Sequence, residues 1–329
     1  MSAETRRMAR TRKTRTLQEQ VSANKNASRL YALLLIAFLA LLGTTLVGTF
    51  APEEWYWGTI GSVALGAIVA LTADFGGADI VLSISRARPA TPEEDRVLQN
   101  VVEEMALAAG VPVPLIYVID DPALNAFATG PSPEHAVIAV TSGLLAKLDR
   151  DELQGVVAHE MGHIRNFDIQ FMTRMTLIAG LIPLIADLLL RLRWFGIGRG
   201  RHGGRHGSNF GAIFLVVGLL LAVLAPLGSM LLTLAVSRKR EFLADATAAE
   251  LTRYPEGLAR ALAKLGSEGQ SKAFSNRATQ HLFIVNPLSS GTKKSRLFQT
   301  HPSIEERIAA LQNLMGQFPS PNSTDTSRA

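Results

Sequence analysis

The sequence predicts a mainly α-helical membrane protein whose globular part is an α+β domain with a small sheet. Of its 329 residues, 47% are hydrophobic and only 19% are charged, a balance that is unusual for a soluble enzyme and indicates membrane segments. Two pairs of long apolar stretches alternate with segments that show strand or amphipathic-helix periodicity. One predicted helix also holds two histidines four residues apart, which indicates a metal site in the globular part.

The first apolar pair is predicted at 30–75, directly after a basic extension at 1–29. Its first half is uncharged and long enough to cross about 30 Å of hydrocarbon. The turn between its halves holds Trp55, Tyr56 and Trp57, which are typical of a membrane–water interface. A nucleic-acid arm is the alternative interpretation of the basic extension. The apolar run that follows favours a cytoplasmic flank, so no nucleic-acid partner is expected.

The second apolar pair is predicted at 171–236, and its two halves differ. The second half has a long uncharged run, whereas Pro183 and Asp187 interrupt the first. A linker rich in Gly, Arg and His joins them, and two full crossings would place this basic linker outside, against the positive-inside rule. A shallow or re-entrant hairpin buried against protein would avoid the conflict. The depth of this hairpin stays open.

The globular domain is divided between 76–170 and 237–316, and a Ser/Thr/Pro-rich tail at 317–329 is expected to be disordered. Short apolar runs predict strands at 115–119 and 136–140, with an edge strand or its approach at 125–130. Capping signals predict helix starts at 91–94, at 149–152 and at 303–306.

The segment 159–163, with the sequence HEMGH, carries the clearest chemical signal. Residues four apart share a helix face, so His159 and His163 can reach one ion, and Glu160 can lie beside an attacking water as its general base. The chain contains no cysteine, so a metal must be held by His, Asp or Glu. This is the H-E-x-x-H arrangement of zinc peptidases, and it predicts one Zn²⁺ per chain.

Two histidines do not complete such a site, because a catalytic zinc usually has three protein ligands. Glu241 and Asp245 are four residues apart and therefore share a helix face, directly after the second apolar pair. The alternative is that 237–245 is simply a solvated helix start where the chain leaves the membrane. The spacing alone leaves the third ligand undecided.

Four motifs resemble, in the same order, those of the HtpX family of membrane zinc endopeptidases, which is related more distantly to the CAAX prenyl endoproteases. They are the Asn-Ala-Phe segment at 125–127, HEMGH at 159–163, REFLAD at 240–245 and His-Pro at 301–302. The similarity covers nearly the whole chain, including both apolar pairs. The chain departs from the family mainly in its basic extension and its Gly/Arg/His linker.

The resemblance implies a zincin-like catalytic domain with an H-E-x-x-H helix. It implies that His159, His163 and Glu241 bind the zinc and that Glu160 is the catalytic base. It also implies cleavage of misfolded or damaged membrane proteins, as part of membrane quality control and the stress response.

Two further residues have candidate roles beside the metal. Asp245 could accept a hydrogen bond from the distal nitrogen of a ligand imidazole, or it could form a plain salt bridge with Arg240 or Lys239. His301 lies just before a predicted helix start and could stabilise the developing oxyanion, with Arg307 as its orienting partner.

A third candidate role belongs to Asn125, Ala126 and Phe127, which lie on the predicted edge strand. An exposed strand edge near the metal can pair with an extended peptide substrate by β-augmentation. An ordinary structural edge strand is the alternative.

The expected function is that of a membrane-anchored zinc endopeptidase, a multi-pass protein of the cell inner membrane with its active site on the cytoplasmic side. Its expected partners are the lipid bilayer and unfolded or membrane protein substrates, and no pattern predicts an oligomeric state. Two alternatives are a noncatalytic, zinc-stabilised membrane scaffold and a CAAX-type protease of lipidated substrates. The presence of Glu160 argues against the scaffold, and the small number of apolar segments argues against the CAAX type.

Overall fold

The computed structural model describes residues 17–91, 96–174, 176–177, 238–267, 284 and 302–315. The helices are α1 Leu17–Phe50, α2 Trp55–Phe75, α3 Gly77–Ile84, α4 Arg96–Ala109, α5 Ser142–Lys147, α6 Arg150–Arg165, α7 168–174, α8 238–252, α9 Pro255–Ser267 and α10 Ile304–Met315. The strands are β1 Arg88–Pro89, β2 Leu115–Ile119, β3 Ala126–Thr129 and β4 Val137–Thr141. Most of the predicted second apolar pair, and the tail predicted at 317–329, lie outside the described residues.

Helices α1 and α2 form an antiparallel hairpin around a short 3-10 turn at Pro52–Glu54. Small residues allow the two helices to approach closely, since a Cβ added at Gly58 would lie 2.2 Å from the carbonyl oxygen of Gly43. Next to this contact, the hydroxyl oxygens of Thr44 and Thr59 lie 2.6 Å apart. Close backbone packing and hydroxyl hydrogen bonds are the interactions that hold helices together in an apolar medium.

One helix is long and apolar enough to cross a membrane, judged over the parts of the chain that the structure describes. Its apolar window, Trp55–Thr72 in α2, has a mean hydropathy of 1.3 and is 11% buried. The apolar part of α1, Ala32–Thr45, is shorter. The predicted hairpin is thus present as a helix pair, and the arrangement of two membrane-spanning pairs stays a prediction. Residues 17–29 of the predicted basic extension belong to α1, and the extension as a cytoplasmic segment stays a prediction.

The sheet has four strands in the order β1-β2-β4-β3. Strands β2 and β4 are parallel, and β1 and β3 pair antiparallel on the two outer sides. The structure confirms β2 at its predicted bounds, whereas β4 begins and ends one residue later than predicted, since Ala136 is the C-cap of the 3-10 turn Pro133–His135. The prediction that 125–130 contains an edge strand is confirmed by β3.

Both faces of the sheet are covered. Ile138 and Val140 of β4 belong to the main core, which also includes buried side chains of α4, α6, α9 and α10. Val137 and Ala139 point the opposite way, into a smaller cluster with Val81 of α3. Successive strand residues alternate between faces, so a strand covered on both sides is buried along its whole length, as β4 is. Helix α6 lies within the main core and is held next to β3.

Capping boxes confirm two of the predicted helix starts. At α6, Asp149 and Glu152 exchange reciprocal side-chain to backbone hydrogen bonds of 2.9 Å. At α10, Ser303 and Glu306 exchange the same pair of bonds, at 3.1 and 3.2 Å. The box predicted at 91–94 lies outside the described residues except for its first residue. The start of α6 determines which of its residues face inward, and these include both histidines.

Candidate metal centre

Helix α6 presents His159 and His163 on one buried face. Their ring centroids lie 4.8 Å apart, and the rings are nearly perpendicular, at 88°. Both side chains are almost fully buried, with 1% and 3% of their surface exposed. Two imidazoles in this arrangement can bind one ion between them, as the four-residue spacing predicts.

Helix α8 brings Glu241 to the same point. Its carboxylate oxygens lie 3.8 Å from His159 Nε2 and 3.7 Å from His163 Nε2, and ligand atoms of the three residues all lie within 4.8 Å of one another. Zinc–ligand bonds of about 2.0–2.1 Å place tetrahedral donors roughly 3.3 Å apart, so the three residues fit zinc after a small contraction. Gly162 permits the close approach of α8, since a Cβ there would lie 3.2 Å from Ala244 Cα.

A carboxylate and an arginine surround the far side of His159. Asp245 Oδ1 lies 2.9 Å from His159 Nδ1. Arg307 donates to both oxygens of Asp245, through Nε at 2.9 Å and Nη2 at 2.6 Å. Its Nη1 also donates to the Ile284 carbonyl at 3.0 Å and lies 3.2 Å from Glu241 Oε2. All these groups are buried, so the two carboxylates share the charge of one guanidinium.

A similar group lies on the far side of His163. Asp168 Oδ2 lies 3.2 Å from His163 Nδ1, and Asp168 Oδ1 lies 3.4 Å from Arg240 Nε. The Arg240 guanidinium stacks 3.9 Å above the centre of the Phe171 ring. Arg240 therefore contacts Asp168, while the guanidinium that holds Asp245 belongs to Arg307, which is neither of the predicted salt-bridge partners Arg240 and Lys239.

Glu160 is buried beside the three candidate ligands. Burial raises its pKa to about 7, and the charge of Glu241 acts in the same direction. The charges of His163 and Arg307 oppose this shift, as does a hydrogen bond with the backbone of Ala128 in β3. The candidate base therefore lies between the zinc helix and the edge strand, with a pKa near neutrality.

The pKa values of the two histidines are shifted in opposite directions. Burial, together with the charge of Arg307, lowers the pKa of His159 despite its contact with Asp245. Burial also disfavours protonation of His163, but the hydrogen bond to Asp168 and the charge of Glu241 outweigh it and raise the pKa to about 9. Since only a neutral imidazole binds a metal, an incoming ion would displace a proton from His163.

The remaining predicted site residues are Arg307, His301 and the three residues of the predicted substrate strand. Arg307 is placed as described, beside Asp245 and His159, whereas His301 lies outside the described residues. On the predicted substrate strand, Asn125 exchanges hydrogen bonds with Thr141, and the Ala126 carbonyl accepts from the Ile284 amide at 3.2 Å.

Phe127 of the same strand is fully buried in the smaller cluster. The role of 125–127 in binding substrate stays a prediction.

Two groups near the site, Asp168 and the backbone of Ala128, were missed from the sequence, and a third residue, Arg240, was expected beside Asp245. Asp168 and Arg240 contact each other beside His163, and the backbone of Ala128 contacts Glu160. A signal for Asp168 existed, because it is a carboxylate five residues after His163, within reach of a helix end. The backbone contact of Ala128 has no signal in the sequence, because a backbone amide is the same for almost any residue.

Comparisons with known proteins identify the family of this chain. The model of peptidase family M48 matches residues 92–315. A protease HtpX homolog from Caldanaerobacter subterraneus is 45% identical over 305 residues, which cover 91% of this chain and 98% of that protein. A second one, from Thermoanaerobacter pseudethanolicus, is 43% identical over 303 residues with the same two coverages.

A third protease HtpX homolog, from Streptococcus uberis, is 40% identical and is covered completely, over 91% of this chain. The crystal structure of S. mikatae Ste24p is similar with a TM-score of 0.46 and 25% identity, over 87% of this chain and 63% of that one. The resemblance to HtpX is confirmed by the sequence relatives. The chain therefore belongs to peptidase family M48 and is a membrane-associated metalloprotease related to HtpX.

Proposed function

We propose that this chain is a zinc-dependent endopeptidase whose single metal ion is held by His159, His163 and Glu241. The observation that carries the proposal is the meeting of α8 with α6, which places the Glu241 carboxylate 3.7 and 3.8 Å from the two imidazoles. Three protein ligands of this kind are typical of catalytic zinc, whereas structural zinc usually has four. Imidazole ligands also favour zinc over magnesium or calcium.

The mechanism depends on where Glu160 lies. Bound zinc would supply Lewis-acid polarisation of the scissile carbonyl and would lower the pKa of water to about 7. Glu160 accepts a proton from the attacking water and then donates it to the leaving amine. In the metal-free site burial raises the pKa of Glu160 to about 7. A bound cation would lower this pKa and so favour the carboxylate that accepts the proton.

The residues behind the ligands hold the imidazoles in position. Asp245 accepts a hydrogen bond from Nδ1 of His159, which leaves Nε2 for the metal. Arg307 fixes Asp245 through two parallel hydrogen bonds, a geometry that lysine cannot reproduce. Within this proposal, His301 keeps its predicted role as an oxyanion donor. In the sequence it comes just before α10, the helix that carries Arg307.

The edge strand is the proposed binding surface for the peptide substrate. The contact of Ala128 with Glu160 supports this, because β3 runs beside the candidate base. To pair with the segment containing Asn125, Ala126 and Phe127, an extended peptide would take the place of Ile284, whose amide donates to the Ala126 carbonyl, and would then be held near the metal. Extended pairing needs an unfolded segment, so it suits misfolded proteins as substrates.

We further propose a multi-pass protein of the inner membrane with its active site on the cytoplasmic side, acting in quality control of misfolded membrane proteins. Basic residues precede α1, and Arg86 and Arg88 follow α3, as the positive-inside rule requires if both ends of the hairpin are cytoplasmic. The exposed, apolar surface of α2 supports contact with lipid.

The test of the mechanism compares the full-length wild type with Glu160→Gln in detergent, measuring bound zinc and the cleavage of casein. We expect the variant to keep its zinc and to cleave roughly 10²–10⁴-fold more slowly. Equal cleavage by the two proteins would contradict the role of Glu160. If the wild type holds zinc and cleaves no unfolded substrate, the noncatalytic scaffold becomes the better interpretation.

The test of the ligand set compares Glu241→Ala with Glu250→Ala. Both glutamates lie on α8, but Glu250 is exposed and serves as the matched control. We expect zinc to be lost from the first variant and kept by the second. Unchanged zinc in Glu241→Ala would remove this residue from the ligand set.

A further inference from the structure

Asp168 lies directly behind His163, outside the helix that carries the histidine. Its Oδ2 lies 3.2 Å from His163 Nδ1, and Asp168 has no exposed surface. A buried carboxylate is costly unless charged or hydrogen-bonding partners compensate for its lost hydration. Because the partner of Asp168 is the candidate metal ligand His163, the contact affects the metal site as well as the packing of the domain.

The chain makes an unusual turn to place Asp168 there. Helix α6 ends at Arg165, and the amide of Asn166 bonds back to the Gly162 carbonyl at 3.1 Å. Phe167 then adopts a φ of 59°, in the left-handed region that side-chain-bearing residues seldom occupy. Such a conformation costs about 1–2 kcal/mol and persists only where the surrounding structure requires it. Its consequence is that Asp168, the next residue, returns to the face of α6 that carries His163.

Arg240 fixes the other oxygen of Asp168. Its Nε lies 3.4 Å from Asp168 Oδ1, and its guanidinium stacks 3.9 Å above the centre of the Phe171 ring. Arg240 also directly precedes Glu241 on α8. The helix that delivers the candidate third ligand therefore also delivers the cation that holds Asp168.

His159 has similar surroundings, with the difference that Arg307 Nη2 also lies 3.3 Å from its Nδ1. Its Nδ1 faces the Asp245 carboxylate, which Arg307 holds. Each imidazole thus directs Nδ1 toward a buried carboxylate with an arginine behind it and directs Nε2 toward Glu241. Two parallel constructions around one candidate ion argue that the Asp168 contact serves the metal site.

We infer that Asp168 is a positioning residue for the metal ligand His163, and that Arg240 orients Asp168. This inference rests on the metal role proposed above for His163. The carboxylate fixes the tautomer and the rotation of the imidazole so that the Nε2 lone pair points to the ion. Partners of this kind typically change metal affinity 10- to 100-fold when they are removed.

The test measures zinc affinity in the full-length protein in detergent, in a Glu160→Gln background that prevents self-cleavage. Asp168→Asn keeps the shape of the side chain and removes its charge. We expect its zinc affinity, measured by competition with a chromogenic chelator, to fall about 10- to 100-fold. We also expect the visible spectrum of the cobalt-substituted protein to shift, because the ligand imidazole changes orientation.

The control is Glu152→Gln, in the first turn of α6, the helix that carries His163. Glu152 is equally buried, and its Oε2 lies 2.6 Å from Lys264 Nζ, but it does not contact an imidazole. We expect this variant to lower the thermal stability of the metal-free protein and to leave zinc affinity and the cobalt spectrum unchanged. A merely structural role for Asp168 would give the two variants the same behaviour.

Zinc affinity of Asp168→Asn within twofold of the parent would overturn the inference. If Asp168→Asn does not fold, Arg240→Gln provides the second variant, with an expected loss of at least threefold in zinc affinity, and an unchanged affinity would again overturn it. Failure of the proposed metal site itself is distinguishable, because the parent would then bind no zinc or His163→Ala would bind it equally well.

Discussion

Asp245 Oδ1 lies 2.9 Å from His159 Nδ1, although the two residues belong to different helices. Burial favours the neutral form of Asp245, but the charge of Arg307 and the contact with His159 outweigh burial and lower its pKa. Arg307 comes from a third helix and also lies 3.2 Å from Glu241. The site is therefore a buried network of charges in which each helix contributes a group that the others need.

Removal of the central cation should destabilise the globular domain. Arg307→Met would leave Asp245 and Glu241 buried without their guanidinium, a change that typically costs about 3–5 kcal/mol. Thermal unfolding of the full-length protein in detergent measures this loss. The control is Arg88→Met, whose ion pair with Asp120 is exposed and should contribute at most about 1 kcal/mol. Equal losses in the two variants would contradict the network.

The metal-free protein should lose stability as the pH rises from 6.5 to 9. The pKa of His163 is about 9 in the folded state and near 6.5 when unfolded, so the folded state binds more protons in this window. The stabilisation that the protonated His163 provides is complete below pH 6.5 and is lost as the pH rises through 9. Added zinc replaces this proton, so the gain in unfolding temperature on zinc addition should grow across the same window.

The control for this pH dependence is His163→Gln, which lacks the titrating imidazole. Its metal-free stability should vary less between pH 6.5 and 9 than that of the wild type. An identical slope in both proteins would show that another group is responsible.

The packing of the two hairpin helices should depend on Gly58 and not on Gly61. A Cβ at Gly58 would lie 2.2 Å from the Gly43 carbonyl oxygen, whereas a Cβ at Gly61, one turn further along α2, meets nothing within 4 Å. Gly58→Ala should therefore separate the helices and cost about 1–3 kcal/mol, while Gly61→Ala should be neutral or slightly stabilising. Thermal unfolding in detergent tests the pair, and equal effects would contradict the observed packing.

The proposed topology can be tested with single cysteines, because the natural chain has none. Glu53 lies in the exposed turn between α1 and α2, and Glu103 is exposed on α4 of the globular domain. A membrane-impermeant maleimide applied to intact spheroplasts should label Glu53→Cys, and it should label Glu103→Cys only after lysis. Labelling of Glu103→Cys in intact spheroplasts would place the active site outside the cytoplasm.

Short sequence patterns predicted those helix starts and strand bounds that depend on neighbouring residues in the chain. The capping residues Asp149 and Ser303 marked the starts of α6 and α10, because a cap satisfies backbone groups within one turn. The bounds of β2 followed from its short apolar run between turn residues. The bounds of β4 were displaced by one residue, since the first bond of a ladder depends on the partner strand.

Residue spacing was enough to predict the components of the site: a helix with two histidines and a glutamate, a later pair of carboxylates at helical spacing, and apolar stretches for a membrane. Which carboxylate faces which nitrogen depends on contacts between helices that are far apart in the chain. Glu241 faces both Nε2 atoms and Asp245 faces Nδ1 of His159, because the packing of α8 on Gly162 sets the height and rotation of that helix. Asp168 reaches His163 because Phe167 adopts a positive φ, a conformation that a phenylalanine in the sequence does not predict.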